Sequence, residues 1–170
     1  MTPEPYRYPI LTGTEYQREG NPVRIAELAD QTNRFLDLLE AGDQAGMADM
    51  LDDQVVWSAP MSSGRAEDSG PARGRQAFGS RLGSISGLMR SARFIDRRIT
   101  ASASNTTTFV QTRGDFVTAD GRPYQNVYVF RFDWRDGNIV SWEEYANPMT
   151  IIRAFPDQYG HLLEALLTED

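Results

Sequence analysis

Alternating apolar and polar residues between Tyr124 and Pro148 predict two long antiparallel strands. Every second residue of the first strand is aromatic, so one of its faces is formed by Tyr128, Phe130, Phe132 and Trp134. Asp136-Gly137 lies between the two strands, and an Asp-Gly pair there is typical of a tight hairpin turn, because glycine accepts a positive φ. The second strand carries Trp142, Glu144 and Ala146 on one face. The hairpin therefore ends with an acid on an apolar face.

Helical spacing dominates the preceding half of the chain. Apolar residues recur every three or four positions from Asn21-Pro22 to Gly42, which predicts an amphipathic helix with Asn21 as its N-cap. We expect a short second helix from Gln44 to Leu51, a strand from Asp52 to Ala59, a loop over 61–74 and a third helix from about Arg75 to Met89. Three glycines that share a face weaken the third helix, which fits either close packing against a sheet or a partly broken helix: Gly79, Gly83 and Gly87.

Four successive strand patterns follow and predict an antiparallel meander. They run from Phe94 to Ser102, Thr106 to Val117, Tyr124 to Trp134 and Ile139 to Tyr145. A final helical segment begins near Met149, is interrupted at Pro156 and resumes through His161 to Leu167. Helices first and long strands afterwards indicate an α+β domain, with a curved sheet wrapped around the helices. We divide the chain into an N-terminal arm (1–21), a domain (22–156) and a C-terminal helical extension (157–170).

The amino-acid composition argues against several classes of function. The chain has 170 residues, of which 40% are hydrophobic, and this fits one folded domain with a sizeable core. Its net charge of −7 argues against a nucleic-acid or anionic-membrane partner. The absence of cysteine excludes disulfides, thiolate metal sites and cysteine nucleophiles. His161 is the only histidine, which argues against histidine-rich metal sites and a Ser-His-Asp triad.

Targeting and cofactor motifs are also missing from the sequence. No apolar run approaches the roughly 20 residues that span a bilayer, and the N-terminus lacks the pattern of a signal peptide. We find no P-loop, no dinucleotide fingerprint and no zinc or calcium spacing. The expectation from the missing membrane and targeting segments is a soluble cytoplasmic protein.

Glu144 is the first candidate for chemistry. A carboxylate beside Trp142 on a buried face is destabilised unless it is paired, hydrogen-bonded or protonated. Desolvation is expected to raise the pKa of Glu144 toward neutrality, which suits a general acid or base. The alternative is a carboxylate that forms a salt bridge with an arginine inside the domain.

Other candidates lie on neighbouring strands. Arg113 and Asp115 are two residues apart, so they share a strand face with Phe109, Gln111 and Val117; they either act beside Glu144 or form an exposed charge pair. Asn126 and Tyr128 lie on the face assigned to the interior and are candidates to orient a carbonyl or carboxylate. Four aromatic residues are candidates either for the core or for a substrate platform: Trp57, Phe130, Phe132 and Trp134. Trp142, beside Glu144, is a further candidate for substrate binding.

The order of elements over residues 22–156 resembles the SnoaL-like fold of the nuclear transport factor 2-like superfamily. Tyr124, Asn126, Tyr128, Phe132, Asp136-Gly137, Ile139 and the ending Glu144-Tyr145-Ala146-Asn147-Pro148 carry the resemblance. Within that superfamily, the Tyr-x-Asn strand, the Asp-Gly turn and the acid-aromatic-x-Asn ending look most similar to the phenazine-biosynthesis PhzA/PhzB group. Val56-Trp57-Ser58 and Arg73-Gly74-Arg75 also look similar, whereas the histidines that those enzymes carry near the pocket are missing here.

The resemblance implies a cone-shaped, mostly antiparallel sheet with a deep pocket, and a homodimer. It also implies cofactor-free acid/base chemistry on small organic molecules, in secondary or small-molecule metabolism, with the carboxylate at the position of Glu144. The leading expectation is therefore a cyclase, isomerase or dehydratase that acts on a carbonyl compound. A non-catalytic dimeric module that binds a small ligand is an alternative from a different class, because one fold hosts many functions.

A second resemblance gives an alternative reaction. Arg113 and Asp115, together with the acid on the last strand, are similar to the Asp-Arg-Asp site of limonene-epoxide hydrolases in the same superfamily. The last-strand aspartate of that site is Glu144 here, and the Tyr-x-Asn pair that helps to hold water in that family is not evident in Val55-Val56-Trp57-Ser58. Both enzyme hypotheses predict that Arg113, Asp115 and Glu144 converge in one concave pocket.

Overall fold

A computed structural model describes residues 22–60 and 72–160 of the chain. The N-terminal arm, most of the 61–74 loop and the helix expected from His161 lie outside the described residues. Two helices open the domain, α1 (Pro22–Ala41) and α2 (Gln44–Asp49). The Asp43 side chain caps α2 by accepting a hydrogen bond from the Gly46 N–H at 2.9 Å. Both predicted helices are confirmed, and α1 ends beside Gly42 as expected.

The predicted strands and the third helix follow in the predicted order, together with two short strands that were not predicted. These are Ala72–Arg73, in the expected loop, and Met89–Ser91, at the end of the expected helix. In chain order, the elements are β1 (Leu51–Ser58), β2 (Ala72–Arg73), α3 (Gly74–Ser86), β3 (Met89–Ser91), β4 (Phe94–Ala101), β5 (Thr107–Thr118), β6 (Pro123–Arg135), β7 (Asn138–Ala146) and α4 (Pro148–Ala154). A further helical turn covers 156–160. The four long strands β4 to β7 pair with their successors in antiparallel fashion, so the predicted meander is confirmed.

The pairing of β1 was not predicted. Within the described residues the strands form one sheet in the order β2-β1-β7-β6-β5-β3, with β4 also on β5. The β1 strand runs parallel to β7, and Trp57 lies opposite Trp142 in that pair. This non-local contact brings the first of the described strands next to the last of them, and it places both tryptophans beside Glu144.

The hairpin between β6 and β7 has the expected two-residue turn. Asp136 and Gly137 both have positive φ, at 51° and 83°, and Arg135 pairs with Asn138 across them. Two successive left-handed residues are the signature of a type I′ turn, whose twist matches that of the paired strands. A register shift between Asp133 and Trp134 follows this turn, so the pairing of Glu144 with Phe130 depends on that irregularity as well as on the turn.

The core lies between α1 and the inner face of the curled sheet, which confirms the α+β prediction. Burial alternates along β5 and β6 with period two, and Phe130 and Phe132 are fully buried. Phe35 of α1 packs edge-on against Phe132 and Trp142, with ring centroids 5.6 and 5.8 Å apart. The predicted aromatic face of β6 is therefore the inner wall of the domain.

Gly79 and Gly83 of α3 do not serve close packing against the sheet. The helix is continuous over Gly74–Ser86. A Cβ on Gly79 would meet no atom within 4 Å, and one on Gly83 would meet only Gln44 Nε2 at 3.8 Å. No helix among residues 22–60 and 72–160 combines the length and hydropathy that crossing a membrane requires.

Candidate active site

A cavity of about 290 Å³ lies between the inner face of the sheet and the helices. Its wall is mainly aromatic and aliphatic, and it includes Trp57, Phe94, Phe116, Phe130, Trp142 and Phe155. The charged residues that line it within the described chain are Glu40, Arg90 and Glu144. An apolar cavity with a few placed polar groups is the usual form of a small-molecule site.

Glu144 reaches the cavity because of its register on β7. It lies opposite Phe130 of β6, whose side chain is on the inner face. Glu143 takes the other face, where it approaches Arg131 at 3.6 Å and accepts a hydrogen bond from the Tyr145 hydroxyl at 2.9 Å. Among the described residues Glu144 forms no salt bridge, so the salt-bridged alternative does not hold there.

Burial raises the pKa of Glu144 from its ordinary value of 4.5 to about 7. The indole N–H of Trp57 and the positive charge of Arg81 oppose this rise. Trp57 Nε1 is nonetheless buried without a hydrogen bond of normal geometry to any described residue, so it acts on the carboxyl as a nearby, imperfectly aligned donor. The Arg81 guanidinium lies 4.7 Å from the centroid of the Trp57 ring. A carboxyl group with this pKa is available in both protonation states near neutral pH, as general acid/base catalysis requires.

Asn126 is buried, and its amide is held in one orientation by hydrogen bonds. Its Oδ1 accepts from the main-chain N–H groups of Val127 and Asn147, at 2.8 and 3.2 Å. Its Nδ2 donates to the Asn147 carbonyl oxygen at 3.1 Å and to the Tyr124 hydroxyl oxygen at 3.0 Å. Both ends of the amide are thus engaged within the protein, so Asn126 is placed to position Tyr124 rather than to contact a substrate.

The Tyr124 hydroxyl accepts two hydrogen bonds and keeps its own O–H to donate. Its oxygen accepts from Asn126 and, at 3.1 Å, from the hydroxyl of Tyr128. Because both lone pairs of the oxygen are then occupied, its own O–H remains to be donated, and Tyr124 lines the cavity. Burial raises the pKa of both tyrosines, and the charge of Glu144 raises each further. The two hydroxyl groups are therefore neutral, and Tyr124 is a hydrogen-bond donor in the same cavity as Glu144.

Five of the residues proposed from the sequence line one cavity: Glu144, Tyr128, Trp57, Phe130 and Trp142. Tyr124 and Arg81 were missed. Tyr124 lies two residues before Asn126, so the same period-two pattern places it on the inner face. Arg81 has no comparable signal, because its approach to Trp57 depends on how α3 packs against β1.

The expected convergence of Arg113 and Asp115 with Glu144 is wrong. Gly114 and Phe116 occupy the inner face of β5, so Arg113 and Asp115 point to the opposite side. The Arg113 side chain is 62% exposed and forms an ion pair with Asp96. The grouping of these residues with Phe109, Gln111 and Val117 was correct, but the face that they share is the outer one.

The acids of the described residues do not form a metal site. Among residues 22–60 and 72–160, no three His, Cys, Asp or Glu side chains are placed to hold a metal ion. Glu40 is engaged by Arg97 at 2.7 Å and by the Phe94 N–H. Among the described residues, the cavity thus combines the Glu144 carboxyl group, which has no ion-pair partner, with the Tyr124 hydroxyl, the Arg90 side chain and an apolar wall.

Solved structures of low sequence identity share this fold. A candidate isomerase from Bacillus subtilis is 23% identical with a TM-score of 0.66, covering 77% of this chain and 94% of that chain. A candidate polyketide cyclase from Xanthomonas campestris pv. campestris is 21% identical with a TM-score of 0.66, covering 77% and 98%. An LEH-like epoxide hydrolase from M. tuberculosis is 17% identical with a TM-score of 0.60, covering 84% and 96%. At these identities the likeness shows the fold alone.

The sequence itself identifies the family. No curated protein matches it. The narrower likeness to the PhzA/PhzB group stays a prediction. The model of the SnoaL-like domain matches residues 32–142, which is more than half of the chain and runs from α1 into β7. The chain therefore belongs to the SnoaL-like domain family, within the nuclear transport factor 2-like fold.

Proposed function

We propose that the protein is a cofactor-independent acid/base enzyme that acts on a small organic carbonyl compound, as a cyclase, isomerase or dehydratase of secondary or small-molecule metabolism. The observation that carries this proposal is the carboxyl group of Glu144, which faces an apolar cavity with a pKa of about 7. The candidate isomerase and candidate polyketide cyclase of the same fold support the reaction class. The sequence contains no lysine, so a Schiff base from a lysine side chain is not an alternative within this sequence.

The proposed chemistry is a proton transfer next to a carbonyl group. Glu144, as the carboxylate, removes a proton from the carbon beside the carbonyl, and the electron pair of that C–H bond moves to form an enolate. The Tyr124 O–H donates a hydrogen bond to the enolate oxygen, where negative charge develops. Glu144, now protonated, returns the proton to carbon or to a leaving hydroxyl group. The apolar wall excludes water, which strengthens both electrostatic interactions.

Hydrogen exchange of a simple ketone tests this proposal. The α-protons of 2-tetralone, incubated with the protein in D₂O, are followed by proton NMR. We expect the wild type to accelerate exchange, and the Glu144→Gln variant to be slower by roughly 10²- to 10⁴-fold, the usual range for a general acid/base. Glu143→Gln is the matched control and should exchange at the wild-type rate. Equal rates for Glu144→Gln and the wild type contradict the proposal.

The two alternative functions, an epoxide hydrolase and a non-catalytic binding module, predict different experimental results. An epoxide hydrolase converts styrene oxide to a diol that contains oxygen from H₂¹⁸O, whereas proton transfer incorporates only deuterium. The separation of Arg113 and Asp115 from the cavity removes the geometric basis for that alternative. A non-catalytic binding module binds 2-tetralone and related ketones without accelerating exchange in any of them.

We also propose that the protein forms a homodimer through the outer face of the sheet. This face exposes Phe109, Val127 and Val129, and Val127 is 64% exposed. It carries charges of both signs, including Arg113 and Glu143, so two copies related by a two-fold axis can place unlike charges together. Exposed apolar side chains clustered on one face are typical of an interface.

Sedimentation velocity tests the dimer. Val127→Arg introduces a charge at the most exposed apolar residue of this face and should yield monomers at concentrations where the wild type is dimeric. Ala45→Arg, on exposed α2, is the control and should remain dimeric. A monomeric wild type, or a dimer that survives Val127→Arg unchanged, contradicts the proposal.

A further inference from the structure

Arg90 of β3 is the only basic residue among the described residues that line the cavity. Its side chain is exposed and forms no ion pair with any described residue. By contrast, Arg97 and Arg122 on nearby strands or turns are each paired with an acid. An arginine that contacts an apolar cavity without an acidic partner is available to bind a ligand of opposite charge.

The two acids of the cavity do not neutralise Arg90. The Glu40 carboxylate is held by Arg97 at 2.7 Å and by the Phe94 N–H. Glu144 lies on β7, and the strands β6 and β5 separate β7 from β3 in the sheet. Three strand spacings of about 4.8 Å correspond to roughly 14 Å along the sheet, and the path across the curled interior is shorter. The positive group and the titratable acid therefore belong to separate strands of the cavity wall.

The position of the guanidinium group suits a ligand at the cavity rim. Arg90 Nη1 lies 3.9 Å from the point that a Cβ on Gly121 would occupy, beside the turn between β5 and β6. Ser91, the next residue, and Ser86, at the end of α3, also line the cavity. Between this rim and Glu144 the wall is apolar, with Met89, Phe116 and Phe130.

We propose that Arg90 forms a subsite for a carboxylate of the substrate, whose carbonyl end lies at Glu144. This inference rests on the proposed function and adds a substrate class, an elongated apolar keto acid. The planar guanidinium group matches the two oxygens of a carboxylate, so Arg90 binds this group through paired hydrogen bonds. The apolar body of the substrate occupies the cavity between the two ends.

Calorimetric titration with two matched probes tests the subsite. The first probe is 6-acetyl-2-naphthoate, which has a ketone and a carboxylate at opposite ends of an aromatic body; the second is 2-acetonaphthone, which lacks the carboxylate. We expect the wild type to bind the acid about tenfold or more tightly than the ketone, as a charge-assisted pair of hydrogen bonds predicts. Arg90→Gln should lose this preference while its affinity for 2-acetonaphthone is unchanged. Raising the salt concentration should weaken binding of the acid only.

Arg98→Gln is the matched control, because Arg98 is exposed on β4 and does not line the cavity. It should keep the preference for the acid. Arg90→Lys keeps the positive charge but loses the planar guanidinium group, so it should give an intermediate preference for the acid. This variant replaces Arg90→Gln in the binding measurement if Arg90→Gln does not fold. The proposal is overturned if the wild type shows no preference for the acid or binds neither probe. It is also overturned if Arg90→Gln keeps the preference, or if Arg98→Gln loses it equally.

The subsite and the catalytic proposal are tested separately. The exchange assay uses 2-tetralone, which has no carboxylate and does not need Arg90. Loss of exchange in Glu144→Gln with no effect of Arg90→Gln on binding supports the proposed function and rejects the subsite. Probe binding that depends on Arg90, together with exchange that does not depend on Glu144, supports the subsite and rejects the proposed function.

Discussion

Glu143 and Glu144 are neighbours on β7 whose side chains lie on opposite sides of the sheet. Glu143 contacts Arg131 and the Tyr145 hydroxyl on the outer face, whereas Glu144 lines the apolar cavity. The two residues have the same chemistry and the same backbone neighbourhood, and they differ in solvation. They therefore form a natural pair for separating the effect of the cavity on a carboxyl group from the effect of losing a charge.

The stability of the protein should depend on pH through Glu144. The pKa of Glu144 is raised from 4.5 to about 7 in the folded chain, so the folded state binds this proton more strongly. Its contribution to stability is fully present below the unfolded pKa and is lost as the pH rises through 7. Glu144→Gln should therefore be more stable than the wild type near pH 8.5, by about 2 to 3 kcal/mol, and this advantage should shrink near pH 5. Urea unfolding at the two pH values measures the difference.

The control for this measurement is Glu143→Gln. The Glu143 carboxyl group is on the outer face and takes part in a partly exposed charge pair. The substitution should therefore change the free energy of unfolding by less than about 1 kcal/mol. If Glu144→Gln gives the same stability difference from the wild type at both pH values, burial does not perturb Glu144 in the folded protein.

Trp57→Phe should move the pH dependence of catalysis upward. The indole N–H of Trp57 lowers the pKa of Glu144 against the effect of burial, and phenylalanine keeps an aromatic ring without this donor. The pKa of Glu144 should then rise, so the limb of the pH–rate profile that reports its ionisation moves to higher pH. The profile of 2-tetralone exchange, measured from pH 5 to 9, gives the shift.

Trp142→Phe is the matched control for Trp57→Phe. Trp142 is a second cavity-lining tryptophan whose Nε1 is buried without a hydrogen bond to a described residue. It does not act on the pKa of Glu144 as a donor. Its substitution should leave the midpoint of the profile in place. Equal shifts for both variants would show that general loosening of the aromatic wall, rather than the Trp57 donor, changes Glu144.

Arg113→Gln and Asp115→Asn should leave the exchange activity within about twofold of the wild type. Both residues are exposed on the outer face, and Arg113 is paired with Asp96. Exposed pairs contribute about 0 to 1 kcal/mol, so the change in the free energy of unfolding should also be small. Measured kcat/KM and urea unfolding check both statements. A loss of activity above tenfold in either variant would return these residues to the catalytic site.

The local pattern of the sequence was sufficient for the strands of the meander and for the face of Glu144. Alternation with period two decides which side chains share a face, and the Asp136-Gly137 pair predicts the turn. The register shift between Asp133 and Trp134, which changes the pairing of β7 beyond the turn, has no such local signal. The same pattern cannot tell which face of an isolated strand is the inner one. For β5 the inner face belongs to the row with Gly114 and Phe116, and the sequence alone did not exclude the row with Arg113 and Asp115.

Contacts between distant segments account for the other differences. The parallel pairing of β1 with β7 joins segments about 85 residues apart, and neither segment carries a local signal for it. The role of Asn126 likewise depends on Asn147, which lies after β7 and also caps α4 through a hydrogen bond to the Met149 N–H. Asn126, on the inner face, was expected to bind a substrate. Its side-chain amide instead forms hydrogen bonds with the main-chain N–H and carbonyl oxygen of Asn147.

Gly114→Ala should disturb the hydrogen bond between Tyr128 and Tyr124. A Cβ on Gly114 would lie 2.8 Å from Tyr128 Cε2 and 2.9 Å from the Phe116 ring, so at least one of these buried rings must shift. Overpacking of this kind costs about 1 to 3 kcal/mol, and movement of Tyr128 weakens its hydrogen bond to Tyr124. We expect lower stability and slower exchange, measured by urea unfolding and the 2-tetralone assay.

Gly79→Ala in helix α3 is the control for Gly114→Ala, because a Cβ at Gly79 would meet no atom within 4 Å. This substitution should stabilise the folded protein by about 0.5 to 1 kcal/mol without slowing exchange.

Tyr124→Phe should slow exchange through loss of the hydrogen bond to the enolate oxygen. Loss of one preorganised donor to a developing oxyanion typically costs 10²- to 10³-fold in kcat, and KM should change little because the ground-state carbonyl oxygen is a weaker acceptor. Tyr128→Phe leaves the Tyr124 O–H in place and removes only one donor to its oxygen, so its effect on kcat should be smaller. Steady-state kinetics with 2-tetralone give both parameters. If Tyr128→Phe lowers kcat more than Tyr124→Phe does, Tyr128 rather than Tyr124 contacts the substrate oxygen, and the hydrogen-bond direction inferred for the pair is wrong.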